Sequence, residues 1–153
     1  MKIWYYKNND AQGGPSGCYG RWVRDVFNLN EPIEWGGHYS TRSAESAKLL
    51  NDEVAEGDIV VCYQTDDKAI VGFCTITEIE GVRDDKRLWL TPLHKLAHPV
   101  DIHRAKHGTI LADSSAVNGL PMLRGLTRQE MAALVHIASQ RDTLPQILQQ
   151  ATA

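Results

Sequence analysis

The sequence predicts an α+β fold in which a small, partly closed β-barrel of about five strands is flanked by helices. Strand-like segments cluster in the first two-thirds of the chain, and the strongest helix signal lies near its end. Strands and helices do not alternate strictly, which argues against a doubly wound parallel sheet. We expect residues 1–153 to form a single domain, because that length fits one hydrophobic core.

The N-terminal third begins with one strand and continues in loops. Lys2–Lys7 is short and aromatic, which is typical of a strand, and Asn8–Gly20 is rich in Gly, Asn, Ser and Pro, which indicates a loop. Arg21–Leu29 fits a short helix or a strand equally well. Ser43–Asn51 carries apolar residues at helical spacing and is predicted to be a helix.

A β-hairpin over Gly57–Ile79 is the clearest element. Gly57–Gln64 and Ala69–Ile79 are rich in β-branched and aromatic residues, and Thr65–Lys68 between them contains two aspartates that favour a turn. Gly72 inside the second strand predicts a bulge or a close approach of another part of the chain.

The remaining elements follow at shorter intervals. Arg87–Leu93 is predicted to be a strand, Pro99–Gly108 a short helix, and Leu111–Gly125 irregular. Thr127–Gln140 begins with the capping box Thr-Arg-Gln-Glu and is predicted to be a helix. A second short helix is expected after Thr143.

Charge, hydropathy and cysteine content narrow the class of protein. The formal net charge of −3 argues against tight, indiscriminate binding of phosphates, although it is compatible with a local basic groove. No apolar run approaches the roughly 20 residues of a membrane helix, so no membrane partner is expected. The odd count of three cysteines, two of them in strand-like runs, suits free buried thiols. Together with the lack of a signal peptide, this predicts a cytoplasmic protein.

Motifs for catalysis or cofactor binding are not visible. The four histidines between residues 94 and 107 are spaced by four or five, but Pro99 interrupts them and no further ligand completes a metal site. There is no nucleophile elbow and no glycine-rich phosphate loop. We therefore predict no catalytic residues, no metal and no cofactor.

The informative residues are aromatic. Trp and Tyr residues occur in several separate segments, where most are expected to fill the core. Trp35 differs because it stands beside Gly36 and Gly37 in a loop, a setting that favours lining a pocket. Aromatic rings stack on nucleobases, each stack contributing about 1–3 kcal/mol.

Five segments in order resemble landmarks of EVE domains, which are similar to YTH and ASCH domains in the PUA-like group. The matching segments are Ile3–Lys7, Trp35–Arg42, Glu56–Gln64 with Ile70–Phe73, Pro99–Ile102 and Leu126–Glu130. The sequence departs from the EVE pattern at Asn8-Asn9-Asp10 and over His38–Arg42, both of which fall on the expected pocket.

The resemblance implies a PUA-like β-barrel and a pocket that accepts one flipped base, often a modified one, from DNA or RNA. Trp35 with Trp4 or Tyr63 would cage the base, polar side chains would read its edge, and Lys7 with Arg42 would hold phosphates. The predicted ligand-binding residues are Trp4, Lys7, Asn8, Trp35, Gly36, Gly37, Tyr39, Ser40, Arg42, Tyr63 and Gln64. The kind of nucleic acid, the modification and the oligomeric state stay open.

Two other functions remain compatible with the sequence. ASCH-like relatives include small hydrolases of modified nucleosides, for which Lys7 and Glu78 are available but not linked by a motif. The chain is also compatible with a regulatory interaction module that does not bind a base.

Overall fold

The computed structural model describes residues 1–10, 20–35, 44–82, 86–119 and 122–152 as an α+β fold built on a mixed sheet. In these ranges the strands are β1 (Ile3–Asn8), β2 (Ile33–Glu34), β3 (Ile59–Gln64), β4 (Ala69–Glu80), β5 (Arg87–Asp101) and β6 (Leu123–Leu126). The α-helices are α1 (Ala44–Asp52), α2 (Ile102–Lys106), α3 (Ser115–Asn118), α4 (Arg128–Ser139) and α5 (Gln146–Gln150). Single helical turns occupy Val23–Phe27 (π), Thr65–Asp67 and Ile110–Asp113 (both 3₁₀). None of the described helices has the length and apolar character needed to cross a bilayer.

The sheet has the strand order β2-β5-β4-β3-β1-β6. All neighbouring strands are antiparallel except β1 and β3, which run parallel with Asn8 opposite Gln64. Sequence-adjacent β3 and β4 form the predicted hairpin, and a 3₁₀ turn at Thr65–Asp67 joins them.

The prediction of a small, partly closed barrel of about five strands is wrong, because the sheet does not close. Within the described residues the sheet has six strands, and no backbone ladder joins the edge strands β2 and β6. Closure of a barrel requires pairing along both edges, whereas β2 offers two residues, which already pair with β5. Packed helices and aromatic side chains cover the two faces of the sheet instead.

Two hydrophobic clusters lie on opposite faces because side chains alternate along a strand. The Tyr5 face carries Ile3 and Tyr5 of β1 and packs against α2, α4 and α5. The Trp4 face carries Trp4 and Tyr6 of β1 and packs against Trp22, Trp35, the π turn and α1. Asn8 follows Tyr6 by two residues and therefore belongs to the Trp4 face.

Strand β5 is longer than the sequence predicts. The expected break between a strand at Arg87–Leu93 and a helix from Pro99 is wrong, since β5 continues to Asp101 and α2 begins at Ile102. Pro92 pairs with Cys74 next to a register shift, and Pro99 lies within a second shift. Such irregularities tolerate a residue that lacks an N–H group, which explains how the strand continues through both prolines.

The remaining predictions divide into confirmed elements and missed ones. The capping box of α4 is present, with Thr127 Oγ1 accepting from the Glu130 N–H at 3.1 Å and Glu130 Oε1 accepting from the Thr127 N–H at 2.9 Å. The predicted helices near Ser43–Asn51 and after Thr143 are confirmed as α1 and α5. The segment expected to be irregular contains α3 and β6.

Candidate functional site

Two amide side chains meet at one end of the sheet. Asn8 and Gln64 are the last residues of the parallel strands β1 and β3, and they occupy register positions opposite each other. Both side chains are buried. Parallel pairing at this end therefore brings together two polar groups that are 56 residues apart in the sequence.

The Gln64 amide is fully engaged within the protein. Its Oε1 accepts from the Trp22 backbone N–H at 3.0 Å, and its Nε2 donates to the Gly20 carbonyl oxygen at 3.0 Å and to Asp66 Oδ2 at 2.6 Å. A residue with these partners holds the chain around Gly20 against the sheet. Gln64, predicted to read a base edge, thus has a structural role in the contacts it makes here.

Trp35 closes the same end of the Trp4 face. Its indole Nε1 donates to Asn8 Oδ1 at 3.2 Å, and its side chain is buried with 8% exposure. The Trp35 ring lies 5.6 Å from that of Trp22, centre to centre, at an interplanar angle of 41°. A methyl group added at Gly20 would lie 3.1 Å from Cη2 of Trp35, so this glycine allows the chain to pass beside the indole ring.

The Asn8 amide nitrogen is the unsatisfied group of the site. Its Nδ2 is buried and has no hydrogen-bond partner among the described residues, whereas its Oδ1 accepts from Trp35. An unpaired buried donor costs about 1–3 kcal/mol, so this atom favours any ligand that offers an acceptor. The bond to Trp35 also fixes which end of the amide is the donor, because indole nitrogen only donates.

Ion pairs surround this end of the sheet on the described side. Arg21 pairs with Asp67 at 3.0 Å, and Arg24 pairs with Asp10 at 3.1 Å and with Asp25 at 2.7 Å. The hydrogen bond and charge of Arg24 lower the pKa of the Asp25 carboxyl despite its partial burial. Both arginines are therefore neutralised by carboxylates of the protein itself.

Lys7 and Tyr63 lie on the other face of the sheet. The Tyr63 ring stacks on Tyr5 with ring centres 5.4 Å apart, and Lys7 Nζ lies 5.9 Å from the centre of the Tyr5 ring while donating to the Gly119 carbonyl oxygen. Burial, followed by the charge of Arg124, lowers the pKa of Lys7. These residues do not join Trp35 around one space.

Trp4 is also separate from Trp35's end of the sheet. It is four residues before Asn8, about 13 Å along an extended strand. Its Nε1 donates to Asp58 Oδ2 at 2.9 Å, and this carboxylate also accepts from the backbone N–H groups of Lys2 and Ala55. The described structure places Trp22, rather than Trp4 or Tyr63, beside Trp35.

The other predicted ligand-binding residues lie outside the described part of the chain. They are Gly36, Gly37, Tyr39, Ser40 and Arg42.

Sequence reasoning missed Gly20 and Trp22 as parts of this site. Gly20 has a positive φ of 120°, which favours glycine, and Trp22 bonds through Nε1 to the Tyr63 carbonyl oxygen at 3.0 Å. The available signal was the placement of a glycine and a tryptophan directly after a polar loop, but their partner Gln64 is 44 residues from Gly20 and 42 from Trp22.

The residues proposed for hydrolysis do not converge. Lys7 lies opposite Tyr63, whose partner on β4 is Ile70, whereas Glu78 is eight residues further along β4. Eight residues of a strand span about 26 Å. Lys7 and Glu78 thus occupy opposite ends of the sheet.

Two of the clustered histidines, His94 and His98, lie beside the carboxylate of Asp142. Asp142 lies 3.3 Å from His94 Nε2 and 3.3 Å from His98 Nδ1, and it accepts from the Ala97 and His98 backbone N–H groups at 2.8 and 3.0 Å. Burial alone would raise the pKa of Asp142, but these hydrogen bonds hold it below the ordinary value. No group of three metal-ligating side chains occurs among the described residues.

The fold of this chain is similar to that of several solved structures. No protein-family model and no curated protein matches the sequence. A protein from Rhodopseudomonas palustris solved by NMR has a TM-score of 0.68 at 20% identity, over 94% of this chain and 97% of that one. Human THYN1 in complex with 5-methylcytosine-containing DNA has a TM-score of 0.67 at 12% identity, over 95% and 100% of the two chains. The same human protein is also solved as its DUF55 domain, another name for the EVE domain.

This chain has the fold of the human THYN1 DUF55 domain. The YTH domain of Zygosaccharomyces rouxii MRB1 in complex with N6-methyladenosine RNA is a more distant neighbour, with a TM-score of 0.53 at 8% identity over 92% of this chain and 90% of that one. The predicted resemblance to EVE domains is therefore confirmed, and it extends over nearly the whole chain. At these identities the likeness shows the fold alone.

Proposed function

We propose that this protein binds nucleic acid by accepting one base, in a modified form, at the end of the sheet beside Asn8 and Trp35. The observation that carries the proposal is the buried Asn8 Nδ2, a donor that has no partner in the described part of the chain and whose orientation is fixed by the Trp35 indole. A base supplies what this atom lacks, since each base presents acceptor oxygens or ring nitrogens on its edges.

The structural neighbours support the class of ligand. Human THYN1 is solved with DNA containing 5-methylcytosine, and the Zygosaccharomyces rouxii YTH domain is solved with RNA containing N6-methyladenosine. Both share the fold of this chain, and both are solved with a nucleic acid that carries a methylated base. Recognition of a modified base is thus a function that this fold supports in more than one kind of nucleic acid.

The free-energy cost of extruding a base and the gain from binding it are of similar size. Extrusion of a base from its stack costs a few kcal/mol, and stacking on one aromatic ring returns about 1–3 kcal/mol. A hydrogen bond to Asn8 Nδ2 relieves a comparable penalty in the free protein. Because Trp22 and Trp35 are already in contact, we propose that the base stacks on the side of Trp35 that faces away from Trp22.

Burial of the site sets a further requirement. Asn8 has no exposed surface and Trp35 has little, so a base reaches Nδ2 only after neighbouring groups rearrange. We expect slower association than for an open surface site, because binding that needs a conformational change lowers the association rate.

A binding screen tests the proposal. DNA and RNA oligonucleotides carrying 5-methylcytosine, N6-methyladenine or only unmodified bases are titrated against the parent protein and Asn8→Ala. Asn28→Ala serves as the matched control, because the exposed Asn28 side chain bonds only Lys95 among the described residues.

We expect the parent and the control to prefer at least one modified oligonucleotide, and Asn8→Ala to lose that preference. Equal binding of modified and unmodified oligonucleotides by the parent would contradict the proposed function. Preference retained by Asn8→Ala would contradict the assigned site.

A further inference from the structure

A second surface carries two arginines, Arg104 and Arg141, that no carboxylate of the described residues neutralises. It is a groove of about 500 Å³ between α2 and α4 that continues toward the end of β5, and we name it the α2–α4 groove. Its basic and imidazole side chains are His98, His103, Arg104, His107, His136 and Arg141. Four of the chain's six histidines thus face this one surface.

The arginines of the groove differ from others in the described chain. Arg21, Arg24, Arg87 and Arg124 each form an ion pair with a carboxylate. In the described ranges, neither Arg104 nor Arg141 has an ion pair or a side-chain hydrogen bond.

Nearby carboxylates are occupied elsewhere. Asp101, which also lines the groove, accepts from the Arg104 backbone N–H at 3.0 Å as the N-cap of α2. Asp142 has a side-chain exposure of 4% and is enclosed by His94 and His98. Arg104 and Arg141 are both exposed, so their guanidinium groups are available to an anion from outside the protein.

The groove begins at the same end of the sheet as the base site. Asn8 pairs with Gln64, Gln64 with Ala69, and Ala69 with Asp101, so three strand spacings of about 4.8 Å separate Asn8 from the start of α2. The Ile102 N–H also donates to the Lys68 carbonyl oxygen at 2.9 Å, which ties α2 to the β3–β4 turn. The groove lies on the Tyr5 face and the base site on the Trp4 face, so a nucleic-acid strand that inserts a base near Asn8 would cross this end of the sheet to reach Arg104.

We propose that the α2–α4 groove binds the phosphodiester backbone of the nucleic acid that flanks the inserted base. Guanidinium groups match phosphate oxygens with paired N–H donors, and the imidazole rings add further donors along the groove. The arginines beside the base site cannot serve this purpose without breaking their pairs with aspartate. The inference rests on the proposed function and adds where the backbone lies.

The test uses the double substitution Arg104→Gln/Arg141→Gln in the full chain. The control is Arg87→Gln, whose guanidinium pairs with Glu80 at 2.8 Å. Single-stranded DNA and RNA oligonucleotides with one 5-methylcytosine, and their unmodified counterparts, are titrated over a range of salt concentrations. Circular dichroism establishes that each variant is folded.

We expect the double variant to bind both modified and unmodified oligonucleotides about tenfold more weakly at low salt, with its preference for the modified base intact. The slope of log affinity against log salt should fall by about 0.7 for each lost phosphate contact, whereas Arg87→Gln should match the parent. An unchanged slope and affinity in the double variant would overturn the groove assignment. A parent that binds without preference, yet loses affinity in the double variant, would support the groove and overturn base recognition.

Discussion

The indole Nε1 of Trp35 donates a hydrogen bond to Asn8 Oδ1 at 3.2 Å, while the Asn8 amide nitrogen is buried and has no partner within the ranges that the structure describes. Proteins rarely leave such a donor unpaired, and the exceptions call for an explanation in terms of function. Here the unpaired atom lies at the end of two parallel strands, beside a tryptophan.

Gln64 is expected to stabilise the folded protein. Gln64→Leu removes the partners of the Trp22 N–H and the Gly20 carbonyl, so the free energy of unfolding should fall by about 2 kcal/mol or more. Urea denaturation measures this change, and Gln149→Leu on the exposed side of α5 is the control. A loss below about 0.5 kcal/mol would show that these hydrogen bonds do not hold the Gly20 segment.

Trp35 is expected to act through Asn8 as well as through its own ring. Trp35→Phe keeps an aromatic face but removes the N–H that orients the Asn8 amide, so affinity for the preferred oligonucleotide should fall several-fold. Combined with Asn8→Ala, the two effects should not add, because residues in contact couple by about 0.5–3 kcal/mol. Full additivity in this double-mutant cycle would mean that the two side chains contribute independently.

Gly72 is expected to be essential for packing. A methyl group at this position would lie 2.5 Å from the Phe27 ring and 2.6 Å from the His94 carbonyl oxygen. Gly72→Ala should therefore lower the unfolding free energy by about 1–3 kcal/mol. Gly125→Ala in β6 is the matched comparison, since its methyl group would lie 3.6 Å from Trp4 in ordinary contact, and it should be close to neutral. Equal effects of the two substitutions would refute this account.

Asp142 is expected to make stability depend on pH in the acid range. Its hydrogen bonds to Ala97, His98 and His94 outweigh burial and lower its pKa below the ordinary 3.8. A depressed carboxyl pKa stabilises the fold above the unfolded-state value, and this contribution is lost as pH falls through the lower folded-state value. Near pH 7 Asp142→Asn should cost about 2 kcal/mol relative to the parent.

The difference between the parent and Asp142→Asn should shrink as the pH falls below about 3.8. Urea denaturation at several pH values measures it. A difference that stays constant throughout the acid range would exclude the charge of Asp142 as its source.

Local patterns predicted the parts of the fold that local chemistry decides. The capping box at Thr127 and the β-branched runs on either side of Thr65–Lys68 each specify an element within a few residues. The course of β5 was missed because Pro92 and Pro99 read as strand breakers, and only the register shifts against β4 accommodate them. Strand closure was misjudged because it depends on how distant edges meet.

The sequence predicted some residues of the candidate site, but not which of its side chains contact one another. Asn8 and Trp35 were selected from the sequence, but Trp22 was not, because its place beside Trp35 follows from the bond between its backbone and Gln64. Side chains alternate along a strand, so Lys7 and Tyr63 point to the face opposite Asn8 and Gln64. That Lys7 and Tyr63 share this face depends on the parallel register of β1 and β3, which no local pattern reveals.

The most direct measurement follows the Asn8 side-chain amide by heteronuclear NMR during titration with the preferred modified oligonucleotide. Loss of its signals in Asn8→Ala assigns them. If the base accepts a hydrogen bond from Nδ2, the Asn8 amide proton signals should move strongly downfield at saturation, while the side-chain amide signals of Gln64 should change little. An oligonucleotide that binds tightly and leaves the Asn8 signals in place would contradict base recognition at this site.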